Sequence, residues 1–242
     1  MANHYFQFKQ FTVQQEHCAM KVCTDACLFG AWLAEQMVGS QKKIARCLDI
    51  GAGTGLLSLI IAQKLGEVTI DAVEIDEQAA HQADENFRHS PWADRMQIHV
   101  SAVQQFKPPQ AYGLVVSNPP FFENDLKSPQ KKRNLALHSE ALNLSDLLEA
   151  SRSLLQQAGF FGVLLAFHRM EECEILARKH TFFLYKKMLV KQSPVHPPFR
   201  VMMIFSTSAA FPVETGYISI KDSDGSYHPE FKKLLQDYYL NL

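Results

Sequence analysis

The chain contains no apolar run approaching the ~18 residues that a membrane-spanning helix requires, so no such span is expected. Met1–Gln10 is polar and aromatic rather than apolar, so no secretory signal is expected either. Neither sign of charge is in excess. Lys and Arg number 24 against 25 Asp and Glu, for a formal net charge of -1. Composition therefore neither demands nor forbids a polyanionic partner. Cysteine is sparse and odd in number, at five. Cys18, Cys23 and Cys27 lack the paired C-x-x-C spacing of zinc ligands, and no His pair completes them, so no metal is expected. Reduced thiols in the cytoplasm are the plain expectation. Repeats, low-complexity tracts and long Gly/Ser linkers are also missing. One domain over residues 1–242 is expected, with 1–45 as its lead-in. At 242 residues and 47% hydrophobic, such a chain can bury one sizeable core.

What the chain does have is alternation. Apolar runs of strand length recur at Arg46–Ile50, Val68–Ile75, Met96–Val100, Tyr112–Val116 and Phe160–Phe167. Between them lie stretches with helical spacing, Leu56–Leu65, Glu77–His89 and Leu144–Gln157, and another precedes them at Asp25–Met37. Short apolar strands separated by helices predict an α/β fold, a parallel sheet covered by helices on both faces. Phe182–Val190 and Arg200–Ser206 read as two more strands joined by the short Pro-rich turn Ser193–Pro198. A turn that short joins only antiparallel neighbours, so the sheet is expected to end in an antiparallel pair. A last helix is predicted over His228–Leu240, with Phe231, Leu234, Leu235 and Tyr238 on one face.

The sharpest local signal is Leu48-Asp49-Ile50-Gly51-Ala52-Gly53-Thr54-Gly55, which follows a strand and opens a helix. Gly51, Gly53 and Gly55 allow tight turning and close approach of backbone to a ligand. Glu74 ends the next strand, followed by Ile75. A carboxylate there can accept the ribose hydroxyls of an adenosine-containing cofactor. Asp49, just before the loop, can hold a cofactor amino group through water or a backbone link. The dinucleotide fingerprint needs its third glycine one residue later, where Leu56 stands. That spacing favours S-adenosylmethionine, which has no pyrophosphate to place over a helix N-terminus. The bland alternative is a glycine-rich turn that only connects strand to helix.

A second signal ends the fourth strand: Ser117-Asn118-Pro119-Pro120-Phe121-Phe122. Ligands of open α/β sheets bind beyond the carboxyl ends of the strands, so this loop is expected to face the cofactor. Two prolines fix the backbone and remove two amide donors. The Asn118 side chain and the Pro119 carbonyl can accept both N–H bonds of an exocyclic amine, where charge develops during attack on a methyl group. Phe121 offers a flat face on which a base can stack. Two basic clusters suit phosphate contact: Lys127, Lys131, Lys132 and Arg133 after the motif, then Arg178, Lys179, Lys186, Lys187, Lys191 and Arg200.

Together these loops resemble the class I, Rossmann-like methyltransferases that carry an Asn-Pro-Pro-Phe/Tyr motif. The run Phe11-Thr12-Val13-Gln14-Gln15, then Met20-Lys21-Val22-Cys23-Thr24-Asp25 and Gly30-Ala31-Trp32, is similar to the bacterial tRNA(Val) adenine-N6 methyltransferase family. The resemblance implies a seven-stranded, mostly parallel sheet with an antiparallel last strand. It implies S-adenosyl-L-methionine as cofactor, S-adenosyl-L-homocysteine as product, and adenine 37 beside the anticodon of tRNA1(Val) as target, modified by a monomer. It adds Thr24 and Asp25 near the methionine end of the cofactor, and Ser101 and Ala102 where many relatives carry an Asp before the adenine pocket. Residues 118–140 become a substrate-side loop, with Lys131, Lys132, Arg133 and His138 toward the RNA. Cys23 and Cys27 stand where the family commonly has Gly. Other nitrogen acceptors stay open: rRNA guanine N2, DNA adenine N6 and protein glutamine N5, as does a non-catalytic RNA-binding scaffold. The glutamine enzymes usually carry Tyr fourth in the motif and a helical domain ahead of it, for which residues 1–45 are too few. The guanine enzymes usually continue with His, where this chain has Phe122-Glu123-Asn124.

Overall fold

From residue 46 onward each apolar run enters one sheet, and each amphipathic stretch returns over it as a helix. The computed structural model describes residues 3–16, 20–40, 42–120, 142–209 and 213–242. A small hairpin, β1 (Tyr5–Gln7) and β2 (Thr12–Gln14), precedes α1 (Thr24–Gly39). The alternating part runs β3 (Arg46–Ile50), α2 (Leu56–Lys64), β4 (Thr69–Glu74), α3 (Glu77–Arg88), β5 (Met96–Val100) and β6 (Tyr112–Ser117). It continues through α4 (Leu144–Leu154), β7 (Leu155–Ala166), α5 (Met170–Lys179), β8 (Phe183–Lys191), β9 (Pro198–Ser206), β10 (Glu214–Ser219) and α6 (Pro229–Leu235).

The main sheet has the order β10-β8-β9-β7-β6-β3-β4-β5. Among the described strands of this sheet only β9 runs antiparallel, and it lies between β7 and β8, pairing with both. The α/β expectation holds. The strand count of seven does not, because β10 adds an eighth strand parallel to β8. The sheet therefore ends in a parallel pair rather than an antiparallel one. Glu214–Ser219 carries little local sign of this: an edge strand needs no continuous apolar run, and only its last two residues are buried.

Helices cover both faces. Leu28, Phe29 and Trp32 of α1 join Leu59 and Ile60 of α2 and Phe231 of α6 in one core. Leu147 and Leu148 of α4 and Cys173 of α5 join Phe161, Met203 and Phe205 in the other. The four described cysteines are free, three of them buried, as small hydrophobes often are. Two predicted helices run past their true ends. The expected Leu144–Gln157 helix stops at Leu154, because Leu155 already pairs with Tyr112 in the sheet and Ala158 turns with φ 57°. The expected His228–Leu240 helix stops at Leu235. Beyond it Tyr238 and Tyr239 remain buried, against Lys9 and Phe8 of the N-terminal hairpin. Helical spacing of apolar residues there signals burial, not helix.

Gly55 decides the path from β3 into α2. It caps α2 in the left-handed region at φ 78°, and a Cβ there would overlap the Phe87 ring. Gly55→Ala is expected to lower stability by about 2 kcal/mol or more, from backbone strain plus overpacking. Urea unfolding read by circular dichroism checks this, and an unchanged midpoint would refute it.

Candidate functional site

The carboxyl ends of β3, β4 and β6 come together because all three strands run in one direction. Gly51, Gly53 and Gly55 all have positive φ, so the loop after β3 turns without a side chain in its way. The Glu74 carboxylate holds that loop. Its Oε2 accepts from the Gly53 amide at 2.9 Å, and its Oε1 accepts from the Ile75 and Asp76 amides at 2.9 and 3.1 Å. Three of the roughly four acceptor positions of a carboxylate are thus used by main chain. On the far side of the loop, the buried Asn86 of α3 donates to Thr54 O at 2.9 Å and to Gln14 O at 3.0 Å. It also accepts from the Gln14 amide at 2.8 Å, which docks the N-terminal hairpin on the loop.

A cavity of about 60 Å³ lies beside this assembly, lined by Asp49, Gly51, Gly53, Asn118, Lys21 and Cys23 among others. Asp49 is 1% exposed. Its Oδ2 accepts from the Ser58 hydroxyl at 2.7 Å and the Ser58 amide at 3.2 Å, while its Oδ1 has no partner. The Asn118 Oδ1 is likewise buried and without a partner. A buried oxygen with no donor carries a desolvation penalty of about 1–3 kcal/mol. Two of them lining one cavity mark it as a place suited to N–H donors. Burial pushes the Asp49 carboxyl up to about 7, against the lowering effect of Ser58, and the charge of Glu74 adds to the rise. Burial likewise pushes the Cys23 thiol up to about 12, helped by the Asp25 carboxylate, so it offers no thiolate.

Most of the glycine-loop and strand-end residues expected from the sequence meet here: Asp49, Gly51, Gly53 and Asn118 at the cavity, Gly55 and Glu74 around it. Pro119 and Pro120 follow Asn118 at the same edge, half-buried and exposed. Ile75 is 49% exposed beside Glu74. Ser101 and Ala102 begin the chain after β5, where Ser101 donates through its amide to Glu74 O at 3.0 Å and through its hydroxyl to Ala102 O at 2.9 Å. Thr24 and Asp25 do not line the cavity. Thr24 is hydrogen-bonded to Tyr239. The Asp25 carboxylate accepts from Arg200 Nε at 2.7 Å, a pair no local spacing could reveal because 175 residues separate them. Cys23, close by in sequence, takes the wall instead. Phe121, Lys127, Lys131, Lys132, Arg133 and His138, and Cys18 in the lead-in, lie outside the described residues.

The second basic cluster is largely neutralised. Lys187 and Arg178 meet Glu174 at 2.9 and 3.5 Å, Lys186 meets Glu214 at 3.0 Å, and Arg200 meets Asp25. The sequence between 175 and 200 contains no acid, but the fold brings acids to it. A larger groove of about 620 Å³ between residues 103–111 and α4 shares no lining residue with the cavity. Among the described residues no helix is long and apolar enough to cross a membrane.

Comparison with known proteins agrees with the geometry. The family described as methyltransferase small domain matches residues 30–185. A Parabacteroides distasonis protein named tRNA1(Val) (adenine(37)-N6)-methyltransferase is 38% identical over 244 residues, spanning 100% of both chains. A Dyadobacter fermentans protein of the same name is 41% identical over 241 residues, spanning 98% of each. Among solved structures, one described as a predicted O-methyltransferase from Agrobacterium tumefaciens matches with TM-score 0.68 at 15% identity, over 90% of this chain and 100% of that one. A ribosomal protein L11 methylase from Lactobacillus delbrueckii matches with TM-score 0.52 at 16% identity, over 73% of this chain and 76% of that one. At these identities the structural likeness establishes the fold alone.

The folded pKa of Asp49, about 7, lies above the ordinary value of 3.8. The protonated form is thus favoured by folding, and its stabilising contribution is fully present below pH ~4 and lost as pH rises through ~7. Asp49→Asn removes this loss. The variant is expected to be more stable than the parent at pH 8 by about 4 kcal/mol, with the gap closing toward pH 4. Thermal unfolding at both pH values checks this. A gap that does not change with pH would refute the buried-acid account.

Proposed function

The chain belongs to the methyltransferase small domain family, and on that premise we propose that it transfers a methyl group from S-adenosylmethionine to the N6 amino group of an adenine in tRNA. The fuller form of the proposal is adenine 37 of tRNA1(Val), methylated by a monomer acting in the cytoplasm. The observation that carries it is the pair of unpartnered buried oxygens, Asp49 Oδ1 and Asn118 Oδ1, on residues that line one cavity with the glycine loop. Full-length relatives at 38% and 41% identity bear the name of that activity, which supports the substrate.

The residues present fit the cofactor. Asp49 Oδ1 offers an acceptor to a cationic amino group, directly or through a bridging water, and such a cation would draw the carboxyl back to its ionised form. Glu74 retains one acceptor position for a ribose hydroxyl while it holds the loop. Positive-φ glycines leave the loop backbone open to close approach. Bound there, S-adenosylmethionine supplies an electrophilic methyl group on its sulfonium.

The rest of the chemistry falls to the Asn118 loop. An exocyclic amine is a weak nucleophile because its lone pair is delocalised into the ring. Asn118 Oδ1 accepts one N–H of that amine and the Pro119 carbonyl accepts the other, which favours the pyramidal nitrogen needed for attack. Neither Pro119 nor Pro120 has an amide hydrogen, so no main-chain donor of these two residues competes for those acceptors. Their fixed φ keeps the acceptors in place, and most of the rate gain comes from this positioning. Phe121, Lys131, Lys132, Arg133 and His138 complete the proposal on the substrate side, Phe121 by stacking on the base.

The test uses purified protein, labelled S-adenosylmethionine and tRNA from a strain lacking this gene. Label recovered in N6-methyladenosine, and absent with rRNA, DNA or protein as acceptor, is the expected result. Label in rRNA or protein instead would keep methyl transfer and overturn the substrate. Asn118→Ala is expected to lower kcat by about 10²–10³ while cofactor affinity holds. Equal loss of both would make Asn118 a structural residue. Cofactor affinity of the parent is expected to rise from pH 6 to pH 8 as Asp49 ionises, and isothermal titration calorimetry at the two pH values reads it directly.

A further inference from the structure

All strands of the main sheet except β9 point their carboxyl ends to one edge, and Asn118 stands at that edge after β6. On one side of it lie β3, β4 and β5, where the glycine loop after β3 and Glu74 at the end of β4 take the cofactor in the proposal above. A long substrate that presents a base at Asn118 must therefore extend the other way, across β7, β9, β8 and β10. That half of the edge carries two lysines seated over aromatic rings. Lys191, the last residue of β8, places Nζ 5.5 Å from the Tyr217 ring centroid, and Tyr217 on β10 is 61% exposed. Lys221, just past β10, places Nζ 5.5 Å from the Tyr227 ring. Tyr227 is itself stacked on Phe231 at 4.9 Å and 14°, which fixes its orientation.

The rest of β8 treats its lysines differently. Lys186 and Lys187, toward the opposite edge, are held by Glu214 and Glu174. Neither Lys191 nor Lys221 has a carboxylate at ion-pair distance among the described residues. The acids nearest in sequence to Lys221 are engaged: Asp222 faces His228 at 3.9 Å, and Asp224 accepts from the Ser226 amide at 2.9 Å. Cations without a carboxylate partner among the described residues, beside an exposed ring such as Tyr217, suit a phosphate backbone with unstacked bases, because the charge meets phosphate while the ring stacks on a base. At about 4.8 Å between strands, β8 and β10 stand roughly 14 and 19 Å along the edge from Asn118. That is reach enough for the arm of a folded RNA, not for the target nucleotide.

We propose that Lys191, Tyr217 and Lys221 form a contact surface for the RNA chain flanking the target adenine. It rests on tRNA being the substrate, and it assigns to the β8–β10 edge the part of recognition that lies beyond the reacting base. The surface adds affinity for whole tRNA without taking part in methyl transfer.

The experiment compares the parent with Lys191→Glu/Lys221→Glu and with Tyr217→Ala, all as full chains, on whole tRNA and on a short stem-loop with the same adenine. The charge-reversed variant is expected to raise KM for tRNA about tenfold at moderate salt, with kcat and cofactor affinity unchanged. Its log KM should depend less steeply on log salt, by about 1.4–1.8 for two lost phosphate contacts. On the short stem-loop the two proteins should differ little. Tyr217→Ala should raise KM for tRNA with the salt slope kept. If the parent methylates tRNA and both variants match its KM at every salt concentration, the surface belongs to something other than RNA and the inference is overturned. If the parent transfers no methyl to tRNA, the substrate proposal falls and takes this one with it. Lys191→Gln/Lys221→Gln serves the same comparison should charge reversal impair folding, which thermal unfolding reads.

Discussion

The site hangs on a single carboxylate. Glu74 ends β4, and from there it draws the Gly53 amide of one loop and the Ile75 and Asp76 amides of another onto its two oxygens. Hydrogen bonds to a charged acceptor contribute about 1.5–3 kcal/mol each, so the one from Gly53 steadies a loop of three left-handed glycines while the other two fix the carboxylate at the turn into α3. Asp76, whose amide is one of the three, in turn caps α3 by accepting from Ala79 at 2.9 Å. That helix carries Asn86, which fastens the loop from its other side and brings the N-terminal hairpin with it. Glycine loop, helix and lead-in are therefore one assembly, and the cavity with Asp49 and Asn118 lies beside it.

Charge follows a similar logic over the whole molecule. A near-neutral chain spends many of its cations internally: Arg46 with Asp71 at 2.6 Å, Lys64 with Glu35 at 2.9 Å, Lys187 with Glu174, and Arg200 with Asp25. Half-buried partners such as Arg46 and Asp71 are also held by Tyr112, whose hydroxyl donates to the same carboxylate at 2.7 Å. Against this background the informative groups are the exceptions. A buried acid with an unpartnered acceptor sits at the centre of the carboxyl edge, and two lysines with no carboxylate partner among the described residues sit at its end. Burial gives the first an elevated pKa, and aromatic faces hold the second pair in place.

The two loops of the candidate site are legible in the amino-acid sequence because their signals are local. Leu48–Gly55 and Asn118–Phe121 are short runs in which residue type, backbone freedom and strand-end context fall within a few residues of one another. The alternation of apolar runs from Arg46 to Ser206 likewise carries the parallel sheet and its antiparallel β9, since the period of burial is written in the chain and a short turn permits only one geometry. What these runs cannot convey is anything that depends on distant partners or on an edge. Asp25 has the residue type and position of a cofactor ligand, yet in the fold its carboxylate accepts from Arg200, far along the chain. The basic stretch from 175 to 200 reads as free by itself, yet Glu214 and Asp25 meet it in the fold.

Sequence alone therefore determined the fold class, the two loops and the kind of chemistry they support, because backbone conformation and side-chain type act over a few residues. Tertiary structure alone decided the eighth strand, the end of the last helix, the wall formed by Cys23 and the threefold grip of Glu74. Each of these depends on a surface supplied from elsewhere in the chain. An edge strand needs a neighbour to pair with, a buried tyrosine needs a hairpin to cover it, and a carboxylate has no fixed role until the fold decides which amides reach it.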